Sequence, residues 1–323
     1  MALVAYAVAG TTIQIKDLDS RLSSLESEKG GNRAARSYLQ EFEALVDVSD
    51  AICTKSSESL TEVEDSVYQN TSGTVDKTKN RLSNILPNQA FRPVLTAEAH
   101  REDTYINAVL VPNMTQDSQD ILTQLPLPST VTDFWRLVYQ YDVGLIVAFE
   151  TESNKSDETI AEFLPKSATE PFENDRHRVE TRPLKESKYV DEFKLIVERK
   201  VVPGMDSSAA QTKKTLTLLQ CKNTKLDPEA ILEVQEEIRN CRPSGKSRVV
   251  YMCRNGADQC GLACVQSILL DRLDADECLV VPLVVGTIKA IRPQIIPTVD
   301  QYKCLYRVLR LAHESQNVYG NVG

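Results

Sequence analysis

The chain has few of the residues from which metal sites and disulfide frameworks are built. Its 323 residues include only three histidines, and none of its eight cysteines forms a C-x-x-C pair. Zinc sites and disulfide-stapled folds need closely spaced ligands, so the sequence favours neither. Cys260 and Cys264 lie one helical turn apart and could share a metal ion. The stronger interpretation is that both are small buried residues of a helix, because cysteine is among the most buried residue types. We therefore predict no metal and no cofactor.

The chain also lacks long apolar runs and an excess of positive charge. Its N-terminal apolar stretch, residues 2–9, is far shorter than the roughly 20 residues that cross a bilayer. No basic segment precedes that stretch, so a signal peptide is not predicted. A net charge of −9 and a pI of about 5.1 argue against general nucleic-acid binding and against docking on anionic lipid. We therefore expect a soluble fragment with no nucleic-acid partner and no direct membrane insertion.

Apolar spacing along the chain predicts a mixture of helices and strands. Helices are expected over 11–48, 133–141, 228–240, 260–273, 280–291 and 298–313, and strands over 145–149, 192–199, 215–221 and 248–252. The stretches 165–190 and 202–211 are predicted connections, and 54–78 is a predicted surface loop. Strands and helices do not alternate strictly, so the predicted class is α/β or α+β with a mixed central sheet.

One segment has the layout of a nucleophile loop that binds phosphate. In "VVYMCRNGADQCG", residues 249–261, a β-branched run ends in Cys253, a polar loop with a glycine follows, and an apolar helix begins. Backbone N–H groups in such a loop, together with a helix N-terminus, can hold an oxyanion. Asp258 and Gln259, however, stand where a bound phosphate would favour a cation.

This loop and four other segments resemble, in the same order, the motifs of the classical protein tyrosine phosphatases, whose loop reads H-C-x5-R-[ST]-G. The other segments are "KNRLSNILP" (79–87), "DTYINAVLV" (103–111), "TQLPLPSTVTDFWRLVY" (123–139) and "IRPQIIPTVDQYKCLYRVL" (291–309). The resemblance covers residues 79–313. It implies a highly twisted mixed sheet flanked by helices, with Cys253 at the C-terminal end of a central strand.

The resemblance assigns chemical roles, and most of the residues that would perform them are replaced. The nucleophilic cysteine is kept as Cys253. Gln259 stands at the phosphate-binding arginine, Cys260 at the Ser or Thr that helps the thiolate leave, Met252 at the preceding histidine and Leu82 at the tyrosine that stacks on the substrate ring. Loss of the arginine removes the main stabilisation of the transferring phosphoryl group.

The two remaining roles are replaced as well. Pro297 stands at the glutamine that positions the hydrolytic water, although Gln301 remains nearby. An ungapped match puts residues 224–226 at the Trp-Pro-Asp loop, so Leu226 replaces the general acid and Asp227 lies one residue away. Loss of a general acid typically lowers the rate by about 10²- to 10⁴-fold. The resemblance therefore implies a catalytically inactive domain.

The phosphate loop comprises Cys253, Arg254, Asn255, Gly256, Ala257, Asp258 and Gln259. The Asp258 carboxylate, at about 5 Å from a bound phosphate and at an effective dielectric of ~20, would repel each negative charge of that phosphate by about 3 kcal/mol. Asp258 could point inward and accept the loop N–H bonds, or point outward and leave Arg254 to compensate. We expect the inward, closed arrangement, because unsatisfied N–H groups are costly.

Cys253 has two interpretations. It is either a low-pKa thiolate, helped by the helix N-terminus and by Arg254, or an inert leftover thiol. The inert thiol is preferred, because Met252 and Gln259 replace the histidine and the arginine. Trp135, the single tryptophan, is predicted to pack in the core rather than recognise a ligand.

Receptor-type members of the family often carry two phosphatase domains in tandem. The membrane-distal copy typically has Leu in place of the ring-stacking tyrosine and a damaged acid loop, as Leu82 and Leu226 suggest here. "LVAYAVAG", residues 3–10, looks like the last helix of a preceding phosphatase domain. The expected organisation is an inter-domain linker with N-terminal helices over 1–50 and a catalytically degenerate phosphatase-like domain over 51–323, cut out of a longer receptor.

The leading hypothesis is a regulatory and protein-interaction module in the cytoplasmic part of a single-pass plasma-membrane receptor. Its expected partners are the neighbouring active phosphatase domain and cytoplasmic signalling proteins, with axon guidance as a family-level expectation. Two alternatives stay open: a weakly active or phosphotyrosine-binding phosphatase domain, and a redox sensor that uses Cys253. Thiol reactivity separates the redox sensor from the others.

Overall fold

A computed structural model describes residues 11–26, 37–47, 49–50, 77–96, 103–113, 119–149, 157–167, 169–200, 213–275 and 278–320. Most of the predicted surface loop 54–78 and all of the predicted connection 202–211 lie outside these ranges. No helix among the described residues is long and apolar enough to cross a membrane.

Seven helices are described, and the predicted helices after residue 130 are all among them. They are α1 (Leu18–Glu26), α2 (38–47), α3 (Val131–Gln140), α4 (Pro228–Cys241), α5 (Asp258–Ala275), α6 (Val281–Ile291) and α7 (Val299–Gly320). The prediction of helix from residue 11 onward is wrong at its start, where a two-residue strand β1 (Ile13–Gln14) and a 3-10 turn precede α1. This strand forms because it pairs with a distant segment, which local spacing cannot show.

The central sheet has eight strands: β2 (Ala108–Pro112), β3 (Gln119–Gln124), β4 (Val143–Phe149), β5 (Phe172–Glu173), β6 (His177–Glu186), β7 (Val190–Arg199), β8 (Lys213–Cys221) and β9 (Arg248–Cys253). Their order is β2-β3-β9-β4-β8-β7-β6-β5. The four inner strands β3, β9, β4 and β8 run parallel, and the flanking pairs are antiparallel. The predicted mixed sheet is confirmed.

The prediction that 165–190 is a connection is wrong for two parts of it, because Phe172–Glu173 and His177–Glu186 form strands β5 and β6. Strand β6 is charged and largely exposed in its second half, so it carries little apolar signal. Its backbone is instead stabilised by antiparallel pairing with β7, with a register shift between Pro183 and Lys185. A proline at such an irregularity removes no regular ladder bond.

Alternate residues of the central strands enter two cores on opposite faces of the sheet, as the period of two requires. Val249, Tyr251 and Cys253 of β9 lie in the core formed with α4–α7. Val250 and Met252 lie in the core formed with α3, where Trp135 is fully buried. The predicted packing role of this tryptophan is confirmed.

The N-terminal helices belong to the larger of these cores. Leu18, Leu22 and Leu25 of α1 and Leu45 of α2 are buried in it. Strand β1 pairs antiparallel with a short strand β10 (Cys278–Leu279), outside the central sheet. A domain boundary near residue 50 remains a prediction.

Candidate functional site

Cys253 ends strand β9 at the carboxyl edge of the parallel part of the sheet. Its neighbours β3 and β4 both run parallel to β9, which is where open α/β sheets form their ligand crevice. The chain then turns through Gly256, which has a φ of 71°. A Cβ at Gly256 would lie 2.5 Å from the backbone nitrogen of Gln124, so only glycine fits this turn.

Asn255 fills the anion cradle of this loop. Its Oδ1 accepts hydrogen bonds from the backbone N–H groups of Ala257 and Asp258, both at 3.0 Å. The Cys253 thiol also donates to Oδ1, at 3.3 Å. An oxyanion in the loop would have to displace this amide oxygen.

The expectation that Asp258 itself closes the cradle is wrong. Its Oδ1 instead accepts a hydrogen bond from the Nε2 of Gln301 on α7. Asn255 accepts these N–H groups because an asparagine side chain can bond backbone N–H groups two or three residues ahead of it. The cradle is closed, but by Asn255, a residue of the predicted phosphate loop to which the sequence assigned no role of its own.

The Cys253 thiol is acidic for a buried cysteine. Burial alone would raise its pKa, but a hydrogen bond from Cys260 and the backbone N–H groups of Cys260, Ala257 and Gly256 outweigh it and lower the pKa to about 7. These donors belong to the loop and to the first turn of α5, so they survive the loss of the histidine and the arginine. The lowered pKa supports the thiolate interpretation, whereas the bond from the thiol to Asn255 Oδ1 stabilises the neutral form, and the inert thiol that we prefer from the sequence stays a prediction.

Cys260 is the immediate neighbour of Cys253. The two sulfur atoms lie 3.1 Å apart, and both side chains are buried. Burial, together with the contact to Cys253, raises the pKa of Cys260 well above its ordinary value. Within the described part of the chain, no cluster of three or more His, Cys, Asp or Glu residues could hold a metal ion.

Arg254 does not compensate for the missing arginine. It is exposed, and its Nε lies 2.6 Å from Oδ2 of Asp157. Hydrogen bonds from Thr159 and the contact with Arg254 hold the pKa of Asp157 at about 2, so this carboxylate is charged at neutral pH. Arg81 is engaged as well, since it donates to the carbonyl oxygens of Leu125 and Thr159, both at 2.9 Å.

Arg292 supports the loop from within the protein. It is fully buried, its Nε donates to the carbonyl of Gly256 at 3.0 Å, and its Nη2 donates to Oδ1 of Asn107 at 2.9 Å. Burial lowers its pKa to about 10. This role is not predictable from the sequence, where the only signal is a basic residue in the "IRPQ" segment.

The segment expected to supply a general acid carries none at the matched position. Leu226 is half-buried against the larger core, and Lys225 and Leu226 adopt φ values of 49° and 58°. Asp227, one residue further on, is the N-cap of α4, and its Oδ1 accepts the N–H of Glu229 at 3.2 Å.

The predicted site residues are only partly brought together. Leu226, Asp258 and Gln259 line one cavity together with Gln301. Leu82 is half-buried and Pro297 is exposed, and neither lines that cavity.

Comparison with known proteins agrees with the fold and with the cysteine loop. The family profile of the protein-tyrosine phosphatases matches residues 76–310. The chain is 24% identical to receptor-type tyrosine-protein phosphatase F of Rattus norvegicus over 78% of its own length and 13% of that protein. It is 23% identical to receptor-type tyrosine-protein phosphatase zeta of Homo sapiens over 78% of its length and 11% of that protein.

A third relative is receptor-type tyrosine-protein phosphatase alpha of Homo sapiens, 26% identical over 72% of this chain and 29% of that protein. The chain thus spans well under half the length of these relatives. The family profile, by contrast, covers most of the chain and contains both the cysteine loop and the central sheet. The chain therefore belongs to the protein-tyrosine phosphatase family.

Proposed function

We propose that this domain does not hydrolyse phosphotyrosine and acts as a regulatory and protein-interaction module beside an active phosphatase domain of a receptor. The observation that carries the proposal is the occupied cradle, in which Asn255 Oδ1 accepts the N–H groups of Ala257 and Asp258. These donors are the groups that would otherwise bind the phosphoryl oxygens.

The chemistry around Cys253 supports the same conclusion. The thiol can ionise, but a nucleophile without charge stabilisation for the phosphoryl group and without an acid for the leaving group performs only a fragment of the reaction. Gln259 is neutral, and Asp258 adds negative charge at the start of α5. The arginine and the general acid act on different features of the reaction. The effects of losing them are not additive, yet each loss lowers the rate.

The placement beside an active domain is supported by the relatives, which are receptor-type phosphatases several times longer than this chain. Leu82 and Leu226 match the substitutions typical of the membrane-distal copy in a tandem pair. In this proposal residues 1–50 link the two domains, and the domain lies on the cytoplasmic side, where its surface also binds signalling proteins.

The activity part of the proposal is tested with p-nitrophenyl phosphate and with a phosphotyrosine peptide. The domain and its Cys253→Ser variant should show the same background rate, and calorimetry should detect no saturable binding of the peptide. Turnover that Cys253→Ser abolishes would overturn the proposal.

The regulatory part is tested in a tandem chain that contains the neighbouring active domain. We expect the kcat/KM of that neighbour to differ from its value when it is alone, and Cys253→Ser in this domain to leave the difference intact. Identical kinetics with and without this domain would contradict a regulatory role.

A redox sensor is the second candidate, and the Cys253–Cys260 pair favours it. The sulfur atoms are 3.1 Å apart, and the pKa of Cys253 is about 7, so much of it is thiolate at neutral pH. Attack of that thiolate on a peroxide would break the O–O bond and give a sulfenic acid. The Cys260 thiol would then displace water to form a disulfide, so two thiols are oxidised while one peroxide is reduced to two waters.

Thiol mapping by mass spectrometry after peroxide treatment tests this candidate. A Cys253–Cys260 disulfide, absent in Cys260→Ser and retained in Cys264→Ser, would support it. Iodoacetamide alkylation of Cys253 should have its midpoint near pH 7. A Cys253 that resists both reagents in the folded protein would exclude it.

A further inference from the structure

Two acceptors compete for one backbone donor beside Cys253. The N–H of Ala257 donates to Oδ1 of Asn255 at 3.0 Å, and the same N–H group is among the donors that lower the pKa of Cys253. An N–H group shared between two acceptors is poorly aligned with at least one of them, and a hydrogen bond weakens as its angle falls. The place of the Asn255 side chain and the charge on the sulfur are therefore coupled.

The contact between Cys253 and Asn255 shows which form of the thiol this arrangement contains. Sγ lies 3.3 Å from Oδ1. This oxygen accepts two backbone N–H groups, which identifies it as the amide oxygen, and an amide oxygen has no proton to donate. The hydrogen bond therefore uses the thiol proton, whereas a thiolate at that distance would face the negative end of the amide dipole. Asn255 in the cradle thus belongs with the neutral thiol.

Asn255 also covers the sulfur and is held there by few contacts. Cys253 is 2% exposed, and the Asn255 side chain that contacts it is half-buried in the turn between β9 and α5. Three hydrogen bonds hold Oδ1 in place, from the Cys253 thiol and from the N–H groups of Ala257 and Asp258. Ionisation removes the first bond and gives the second a charged competitor. Only the bond from Asp258 is then uncontested.

The groups that pack against Cys253 keep their charge near neutral pH. Strands β3 and β4 end beside it in Gln124 and Phe149, which do not titrate. Cys260, on the first turn of α5, has a pKa well above its ordinary value, so it stays a neutral thiol that can donate to a thiolate. Arg292, in the segment after α6, has a pKa of about 10 and stays a cation.

The charged groups at the rim of the loop have the same property. Arg81 acts on Cys253 from the segment before β2, and an arginine stays protonated at neutral pH. Arg254 is paired with Asp157, whose pKa is about 2, and Asp258 accepts a hydrogen bond from α7. A change in the cradle near neutral pH therefore reports the ionisation of Cys253 itself.

We propose that Asn255 is a positioning residue that caps Cys253 while the thiol is neutral and leaves the cradle when the thiol ionises. The thiol proton passes to solvent, the N–H of Ala257 turns to the thiolate, and the amide moves outward. The negative charge of the thiolate then opposes phosphate in place of the amide. The inference rests on the second candidate function, the redox sensor, because it states when the same thiol becomes reactive.

The pH profile of iodoacetamide alkylation tests the cap, with mass spectrometry to identify Cys253 as the modified residue. Asn255→Ala removes the acceptor of the thiol proton and the competitor for the Ala257 N–H, so its midpoint should lie about one pH unit below that of the unchanged chain. Asn255→Asp keeps the acceptor and adds a negative charge, so its midpoint should lie above. Equal midpoints for the unchanged chain and Asn255→Ala would overturn the proposal.

Asn174→Ala is the matched control. Oδ1 of Asn174 accepts the N–H groups of Arg176 and His177 at 2.9 and 2.8 Å, two and three residues ahead, as Asn255 does in its own turn. This turn joins β5 to β6 at the outer edge of the sheet. Its loss should leave the alkylation midpoint of Cys253 unchanged, and a shift as large as that of Asn255→Ala would contradict a local cap.

NMR provides a second test that needs no change at Asn255 and decides if Asn255→Ala does not fold. From pH 5 to 8.5, the side-chain amide signals of Asn255 and the backbone amide signal of Ala257 should shift with one shared midpoint. Neither should titrate in Cys253→Ser. Constant signals in the unchanged chain, or the same titration in Cys253→Ser, would overturn the cap. Neither readout uses turnover or peroxide, so phosphatase activity or a missing Cys253–Cys260 disulfide would reject the proposed functions and leave the cap standing.

Discussion

The side chain of Asn255 holds the place that an oxyanion would need. Its Oδ1 satisfies two N–H groups that would otherwise face the cradle, at 3.0 Å each. The amide oxygen of Asn255 is neutral, so it needs no cation beside it, unlike a phosphate. It can therefore occupy a loop in which Gln259 replaces an arginine. Phosphate binding is therefore opposed by a competing internal ligand as well as by the missing cation.

Replacing Asn255 with alanine should reopen the cradle. The freed N–H groups and the start of α5 would then bind an oxyanion weakly, so phosphate should raise the melting temperature of Asn255→Ala and leave that of the unchanged chain constant. Asn223→Ala is the matched control, since Asn223 makes the same kind of turn away from the cradle. A phosphate-insensitive Asn255→Ala would show that the missing cation and the charge of Asp258 exclude the anion without help from Asn255.

Gly256 offers a second test at the same scale. Gly256→Ala places a Cβ 2.5 Å from Gln124 N at a φ of 71°, whereas Gly245 has a φ of 78° and nothing within 4 Å of an added Cβ. Gly245→Ala should therefore cost only the conformational term, about 1 kcal/mol, and Gly256→Ala about 3 kcal/mol or more. Denaturant unfolding measures both variants, and equal losses would refute the close approach.

At the scale of elements, helix α2 is joined to α7 by one buried carboxylate. Glu41 is fully buried, its Oε2 accepts from the hydroxyls of Tyr302 and Tyr306 at 2.9 and 2.6 Å, and its Oε1 lies 3.1 Å from Nη2 of Arg21 on α1. Three helices thus meet at a single side chain, so we expect α1 and α2 to unfold together with α7.

Glu41→Ala should lower the free energy of unfolding by about 3 kcal/mol, because it leaves two tyrosine hydroxyls and a cation without their partner. Glu43→Ala, an exposed change on the same helix, should be nearly neutral. Equilibrium denaturation compares the two, and a small loss at Glu41 would mean that α2 is not cooperatively docked.

The same carboxylate predicts a pH dependence. Burial raises the pKa of Glu41 above its unfolded value of about 4.3, so the folded state holds its proton more tightly. That contribution to stability is complete below the unfolded pKa and is lost as pH rises through the folded pKa. The stability of Glu41→Gln relative to the unchanged chain should therefore rise with pH above about 4.3 and then level off, which unfolding curves at several pH values would show.

At the scale of the whole molecule, the phosphatase reaction requires residues from several elements at once. Gln259→Arg alone should stay inactive, because Leu226 cannot protonate a leaving group and Asn255 occupies the cradle. We expect Cys253-dependent turnover of p-nitrophenyl phosphate only when Leu82→Tyr, Leu226→Asp, Asn255→Ala and Asp258→Gly are added.

The combined variant carries its own control. Cys253→Ser in that background should abolish the recovered rate, since no other residue is expected to act as nucleophile. Robust turnover by Gln259→Arg alone would show that the ground plan of the site is less damaged than the geometry indicates.

The sequence by itself determined the class of fold and the position of the nucleophile loop. The apolar runs of β4, β8 and β9 and the helical spacing of α4, α5 and α7 predicted those elements, because buried strands and amphipathic helices have distinct periods. The order of the motifs indicated the family, and the substitutions Gln259 and Leu226 indicated lost chemistry. Strand β6 was missed because its pairing partner, rather than its own apolar content, stabilises it.

Only the tertiary structure decided which polar groups form hydrogen bonds with one another. Asn255 rather than Asp258 closes the cradle, Asp227 caps helix α4, and Arg292 reaches the loop from 36 residues away. Hydrogen bonds are set by side-chain direction and by contacts between distant segments, and neither can be read from residue type or spacing. The pKa of Cys253 has the same origin, since burial and loop N–H groups oppose each other there and the balance depends on geometry alone.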